Sequence, residues 1–168
     1  LNPYREWIGA QIRIDAYGYI AAGDPHTAAR LAYHDAYFSH VKNGIYGAMF
    51  FAALIAAAIV EKDINCAIER ALREIPVTSR FYEAMKRTLD IVDGITNDEE
   101  LISKILEEFK SYHPVHTISN AAICLAAIKY SQGDFHKAIT LSVMAGLDTD
   151  CNGATVGSVM GAFAGIDG

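Results

Sequence analysis

The sequence is poor in cysteine and in proline, with three cysteines and four prolines among its 168 residues. Cys66, Cys124 and Cys151 are odd in number and far apart, and none of them belongs to a CxxC pair. This spacing predicts neither a disulfide framework nor a zinc site. It is typical of proteins in a reducing compartment, and we therefore expect a cytoplasmic location.

Positive charge is also scarce: 14 Lys and Arg residues face 20 Asp and Glu residues, and the formal net charge is −6. This balance argues against nucleic acid and against an anionic membrane surface as partners. The longest uncharged run, residues 43–60, approaches the length of a membrane span. It contains asparagine and glycine, however, and the segments around it are amphipathic. We expect it to form the central helix of a helical globule rather than a membrane helix.

Alternating strand patterns are nearly absent, and helical periodicity dominates the sequence. The sequence therefore predicts a single all-α domain over residues 1–168, with short connections between helices. The first helix is expected over about residues 3–17, with Gln11 and Asp15 on its solvated face. Later helix starts are expected at side chains that can serve as N-caps, namely Asp63, Ser79, Asn97 or Asp98, Ser119 and Asp134.

Nucleophile-elbow, P-loop and dinucleotide-binding motifs are missing, and the candidate chemistry lies in residues 147–153, LDTDCNG. Asp148 and Asp150 place two carboxylates one residue apart at a helix start, where proteins commonly hold Mg²⁺, Mn²⁺ or Ca²⁺. An EF-hand calcium loop is disfavoured, because its twelfth position needs a glutamate and is Val159 here. A turn and N-cap cluster that holds no metal is the other interpretation, and the sequence leaves it open.

Glycines follow this turn at intervals of four, at Gly153, Gly157, Gly161 and Gly165. A helix face without side chains lets a neighbouring helix approach at backbone distance. We therefore expect the turn that carries Asp148 to lie deep in the packed protein.

Two further polar groups stand beside apolar segments. His40 and Asn43 precede the central apolar run, and His40 either pairs with a helix-end carbonyl or contacts a ligand; both interpretations stay open. His116 and its neighbours precede the seventh helix, whose N-terminus could bind an anion, although ordinary capping by Ser119 explains the spacing more simply. The histidines here lack a third ligand at regular spacing, which disfavours a zinc site.

Four segments resemble the ADP-ribosylglycohydrolase family and occur in the order in which the family has them. Residues 148–158, DTDCNGATVGS, resemble its C-terminal metal motif. Residues 2–13, 39–44 and 115–117 (NPYREWIGAQIR, SHVKNG and VHT) are similar to segments of bacterial members. The resemblance extends over the whole chain and is specific, because four separate motifs share one order.

The resemblance implies an all-α orthogonal bundle with a dinuclear Mg²⁺ or Mn²⁺ centre. It also implies cleavage of the glycosidic bond of ADP-ribose attached to a protein side chain or a small molecule. Asp148 and Asp150 would be metal ligands and catalytic residues. The next position, usually a hydroxyl side chain that assists at the metal, is Cys151, which is a softer ligand. The substrate-binding residues implied by the matched segments are His40, Asn43, Gly9, Gln11, His116 and Thr117.

The sequence departs from the family in one large respect. The family takes its remaining metal ligands from an acidic N-terminal motif of the Thr-Asp-Asp type and a nearby glutamate, and no segment here matches them. The expectation is therefore the C-terminal half of a family domain, incomplete at its N-terminus and weak in metal binding. The alternative is a catalytically incomplete helical module that binds a nucleotide or a partner chain. A truncated bundle would expose apolar surface, which predicts self-association or a complementary chain.

Overall fold

The computed structural model describes residues 2–165, and this part of the chain is all-α and contains no β-sheet. Within it, a 3₁₀ helix at Ile8–Arg13 is followed by nine α-helices. These are α1 (Asp15–Ile20), α2 (Pro25–Tyr37), α3 (Asn43–Ala58), α4 (Ile64–Leu72), α5 (Arg80–Val92), α6 (Asp98–Glu108), α7 (Thr117–Ser131), α8 (Phe135–Met144) and α9 (Thr149–Ala164). The all-α class predicted from the sequence is confirmed.

The core is built around α3, whose side chains are apolar on nearly every face. A helix of this kind is stable only when other elements surround it. The 3₁₀ helix, α1, α2, α4 and α9 all pack against α3, and Phe50, Phe51 and Leu54 are fully buried. The prediction of a central helix for the long apolar run is confirmed. In the described part of the chain, no helix has the length and apolar character needed to cross a membrane.

A second buried helix, α7, organises the other half of the molecule. Most of its side chains are buried, and α5, α6, α8 and α9 pack against it. The helices α4, α5 and α6 are amphipathic and turn their charged faces to solvent. The start of α9 lies close to the start of α7, because the backbone N–H of Asp148 donates to Oδ1 of Asn120 at 3.1 Å.

The first predicted helix is interrupted, which corrects the expectation of a continuous helix from residue 3. The carbonyl of Arg5 accepts a hydrogen bond from the N–H of Val41 (2.9 Å), and the N–H of Ile8 donates to the carbonyl of Val115 (3.0 Å). These peptide groups are thus bonded to distant segments rather than to the next helical turn. Regular structure begins only at Ile8, as a 3₁₀ helix, and continues after Arg13 as the short helix α1.

Most predicted helix caps are confirmed. Backbone N–H groups at the starts of α4, α5, α6 and α8 donate to the side chains of Asp63, Ser79, Asn97 and Asp134, respectively. The prediction for α7 is wrong, because its cap is His116, whose Nδ1 accepts from the N–H of Ile118 at 3.1 Å. Ser119 lies inside the helix and donates its hydroxyl to the carbonyl of His116 (3.1 Å).

Among the glycines of α9, Gly153 provides the close helix contact expected from their spacing, because a Cβ atom added there would lie 3.3 Å from Cγ2 of Val143 on α8. A Cβ atom added at Gly157 or Gly161 would lie 3.8 or 3.9 Å from its nearest neighbour, which is ordinary van der Waals contact. The tightest glycines lie around α3. At Gly47 an added Cβ would approach Cγ2 of Thr117 to 2.3 Å, so this glycine lets α3 meet the start of α7.

Candidate active site

The acidic turn, residues 146–151, begins with a strained backbone. Gly146 and Leu147 both have positive φ angles, of 76° and 59°. Glycine adopts the left-handed region without steric strain, whereas leucine is strained there because of its side chain. Such strain persists where the surrounding structure holds it, and it is common at functional sites. Here it places Asp148 at the N-cap position of α9.

The side chain of Asp148 does not cap its helix, although it occupies the N-cap position. Asp24, Asp63 and Asp134 occupy the same position on α2, α4 and α8, and each accepts a hydrogen bond from a backbone N–H. The Asp148 carboxylate is therefore not committed to capping. This difference counts against the interpretation of the turn as an ordinary cap cluster.

Asp148, Asp150 and Cys151 bring three possible ligand atoms within 4.8 Å of one another. Asp148 is half-buried, Asp150 is exposed and Cys151 is buried, so the predicted deep burial applies to the thiol and not to the acids. Burial, and after it the hydrogen bond to Asp148, raises the pKa of the Cys151 thiol, which therefore stays protonated. Two carboxylates beside a neutral thiol suit a hard ion such as Mg²⁺ or Mn²⁺, bound through oxygen.

A second cluster of predicted residues gathers around Glu6. Its carboxylate accepts a hydrogen bond from Nδ2 of Asn43 (2.7 Å) and lies 4.0 Å from Nε2 of His116. Glu6 and Asn43 line an open cavity of about 240 Å³, together with the exposed cations Lys42 and Arg80. The cluster therefore combines hydrogen-bonding groups with positive charge at the starts of α3 and α5.

His40 lies beside this cluster and is nearly buried, with 8% of its surface exposed. Its Nδ1 is 2.8 Å from the hydroxyl of Ser39, which also accepts a hydrogen bond from Arg13 (2.9 Å). Burial, and after it the Arg13 guanidinium, lowers the pKa of His40. Its Nε2 would lie 3.7 Å from a Cβ at Gly9, so the absence of a side chain at Gly9 leaves space beside the imidazole.

Gln11 and Thr117 are fully buried, so in this structure they form the wall behind the cluster. Nε2 of Gln11 is 3.4 Å from the hydroxyl of Thr155 on α9, which ties the 3₁₀ helix to the helix of the acidic turn. The expected solvated face for Gln11 and Asp15 is wrong. Asp15 accepts a hydrogen bond from Ser158 of α9, and burial raises the pKa of its carboxyl group.

The two clusters are joined by Asn120, which belongs to the helix start that the sequence indicated as a possible anion contact, and not, within the described residues, by a direct bond between them. Its side chain bonds to the backbone of Asp148 and to the carbonyls of Pro114 and His116. We call residues 112–116 the ligand loop, because they bring His116, a predicted substrate-binding residue, close to Glu6. Glu6 was missed by sequence reasoning. Its place within the matched segment 2–13 was the only available signal, because its partners are far away in sequence.

The fold and the site together define a helical protein with a carboxylate turn suited to a divalent cation. Residues 2–168 match the sequence model of the family described as ADP-ribosylglycohydrolase. The chain therefore belongs to the ADP-ribosylglycohydrolase family, and the predicted resemblance is confirmed. Comparisons with curated proteins and with solved structures give no significant match. Family membership supports glycohydrolase activity in general and ADP-ribosylated compounds as the substrate class.

Proposed function

We propose that this protein hydrolyses the N- or O-glycosidic bond between the anomeric carbon of ADP-ribose and a protein side chain or a small molecule. Mg²⁺ or Mn²⁺ at the acidic turn assists the reaction. Family membership supports the glycohydrolase class. The observation that carries the metal proposal is the uncapped Asp148 carboxylate beside Asp150.

The donor set fits a divalent ion, for which Asp148 and Asp150 would be the ligands and Cys151 a weak neighbour. In the complete domain the centre would be dinuclear. When bound, the ion supplies Lewis acidity that orients the ribose hydroxyls, activates water and stabilises charge in the transition state. The sulfur of Cys151 is a soft donor and contributes little to the binding of a hard ion, so the two carboxylates supply most of the affinity.

In this proposal, the cluster around Glu6 binds the ligand. His40, kept neutral by its burial, offers a ring nitrogen beside Gly9 to the ribose-phosphate part of the ligand. Asn43, which is hydrogen-bonded to Glu6, and His116, whose Nε2 lies 4.0 Å from Glu6, line the same region. The starts of α3, α7 and α9 direct their partial positive charge toward the region, which offsets the acidic character of the chain for an anionic pyrophosphate.

The test is release of ADP-ribose from peptides that carry ADP-ribosyl-arginine or ADP-ribosyl-serine. Turnover by the 168-residue chain is expected to be slow, to stop with a chelator and to return with Mn²⁺ or Mg²⁺. Asp148→Asn combined with Asp150→Asn should lower the rate about 100-fold or more, since even partners of metal ligands are worth 10–100-fold. Asp134→Asn, at an aspartate that caps α8, is the matched control. Release that persists in the chelator and in the double variant would refute the proposal.

A second candidate is a helical module that binds the nucleotide or a partner chain without turnover. The neutral thiol of Cys151, in place of a hydroxyl ligand, favours it. Calorimetric titration with ADP-ribose and the release assay together separate the two candidates. A binding module takes up the nucleotide in the titration but releases none from the peptides.

Self-association or a complementary chain also stays a proposal. It is supported by exposed apolar side chains, with Ile20 77%, Tyr37 67% and Phe38 93% exposed. Isolated exposed apolar residues are common, so the measurement has to be direct. Light scattering should show a species larger than 18.3 kDa, and a monomer at all concentrations would contradict the proposal.

A further inference from the structure

Asn120, in the first turn of α7, is fully buried and uses its whole hydrogen-bonding capacity. Its Oδ1 accepts from the N–H of Asp148 at 3.1 Å and from Nδ2 of Asn152 at 2.9 Å. Its Nδ2 donates to the carbonyls of Pro114 at 2.7 Å and His116 at 2.9 Å. An asparagine amide offers two donors and two acceptor positions, and all four are occupied here.

The orientation of this amide is fixed by its partners. Pro114 and His116 present carbonyl oxygens, which can only accept, whereas the backbone N–H of Asp148 can only donate. Rotating the amide by 180° would set like groups against one another at several positions. Oδ1 of Asn120 therefore bonds to the acidic turn, and Nδ2 bonds to the ligand loop.

We infer that Asn120 is a positioning residue that couples the acidic turn to the ligand loop. Occupation of the turn by a cation thereby sets the placement of His116, and the inference rests on the cation site of the proposed function. The physical reason is that a fully satisfied buried network allows little independent movement of its parts. If either side shifts, a buried donor or acceptor loses its partner, which costs the desolvation free energy of that group.

The sequence contains a single tryptophan, and it lies where it can report on the ligand loop. The indole of Trp7 stacks on the ring of His113, with centroids 4.7 Å apart and planes inclined by 10°. The residue after Trp7 is bonded to the loop as well, from the N–H of Ile8 to Val115. Within residues 2–165, the hydrogen bonds and ring contacts of Trp7 run to Tyr4 and His113 and not to the acidic turn, so a change in its emission on cation binding would report transmission through the ligand loop.

The experiment titrates the full chain with Mg²⁺ alone and records both heat and Trp7 emission. Mg²⁺ is chosen because it does not quench fluorescence by paramagnetism. In the wild type, we expect saturation by calorimetry to coincide with a shift in Trp7 emission. Asp148→Asn combined with Asp150→Asn should remove both signals, which assigns them to the acidic turn.

Asn120→Asp is the decisive variant, because the new carboxylate keeps an acceptor for Asp148 but loses the donors to Pro114 and His116. At saturating Mg²⁺ its emission shift should be lost, because the network no longer joins the acidic turn to the ligand loop. Asn97→Asp makes the same chemical change at a cap that needs only an acceptor, and it should retain the full shift. A merely structural role for Asn120 would lower the melting temperature without changing the emission shift of the folded, saturated protein.

The possible outcomes distinguish failure of the coupling from failure of the proposed function. A wild type that binds Mg²⁺ with no change in Trp7 emission overturns the coupling and leaves the proposed function standing, whether or not the variant folds. An undiminished shift in Asn120→Asp does the same. A wild type that binds no Mg²⁺ overturns the proposed function, and this inference with it.

Discussion

At the scale of single residues, the two imidazoles near Glu6 share one property. The pKa values of His40 and His116 are both lowered, and burial is the main cause at each. Both rings are therefore neutral near pH 7 and can accept as well as donate a hydrogen bond. Neutral imidazoles suit positioning of a ribose or a phosphate through hydrogen bonds rather than through charge.

The lowered pKa of His40 predicts a pH-dependent stability. The unfolded chain takes up the proton near the ordinary pKa of 6.5, whereas the folded protein resists it. The free energy of unfolding therefore decreases as the pH falls through this value, because the unfolded state binds more protons. In His40→Gln the melting temperature should fall less between pH 7 and pH 5 than in the wild type. His136→Gln, at an exposed histidine, is the control, and equal slopes for all three proteins would contradict the assignment.

Cys151 gives a second prediction at this scale. Cys151→Ser replaces a buried thiol by a hydroxyl, which is a harder donor for Mg²⁺ or Mn²⁺. Calorimetry should show Mn²⁺ affinity raised by roughly threefold or more, on the basis of that preference for oxygen. Cys66→Ser changes an exposed cysteine away from the turn and should leave the affinity unchanged. Weaker Mn²⁺ binding in Cys151→Ser would show that the sulfur is the better ligand.

At the scale of helices, the glycines of α3 and α9 have different roles despite similar surroundings in sequence. Gly47 faces Thr117 at the crossing of α3 with the start of α7, where an added Cβ would clash at 2.3 Å. Gly157 has ordinary van der Waals space beside Ile139, at 3.8 Å. Both lie inside helices, so they form a matched pair for measuring packing separately from helix propensity.

Gly47→Ala should destabilise the fold by about 1–3 kcal/mol through overpacking. Gly157→Ala should be neutral or stabilising by up to about 1 kcal/mol, since alanine is the better helix former. Chemical denaturation of both variants measures the difference in the free energy of unfolding. A result in which Gly157→Ala is the more damaging substitution would mean that α9 packs more tightly than the structure shows.

A feature of the structure could be predicted from the sequence when the residues that cause it are close together in the chain. Asp63 and Ser79 were predicted as caps because a cap bonds within three residues of itself. The cap of α7 was placed at Ser119, three residues after the observed cap His116, because the start of this helix depends on backbone contacts with Glu6 and Ile8, more than one hundred positions away.

The same distinction applies to the candidate site. The acidic turn was found because its ligands are contiguous, whereas the bond from Asn43 to Glu6 spans 37 positions and that from Asp148 to Asn120 spans 28. Nothing local marks either partner. Similarly, no spacing rule distinguishes Gly47, where an added Cβ would clash with Thr117, from Gly157, where an added Cβ has room beside Ile139.

At the scale of the whole molecule, the two buried helices α3 and α7 place the functional segments together. Asn43 stands at the start of α3, His116 caps α7, and Asp148 stands at the start of α9. Residues 6–8 hold the first two helix starts together, and Asn120 holds the third. The packing that hides the apolar faces thus assembles one polar region from the ends of three helices.

The most direct test of this account is calorimetric titration of the chain with Mn²⁺, repeated for Asp148→Asn combined with Asp150→Asn. The account predicts saturable binding by the wild type and an affinity at least about tenfold lower in the double variant, in line with the loss of charged oxygen ligands. Equal Mn²⁺ affinity in the two proteins, or no binding by the wild type, would contradict it.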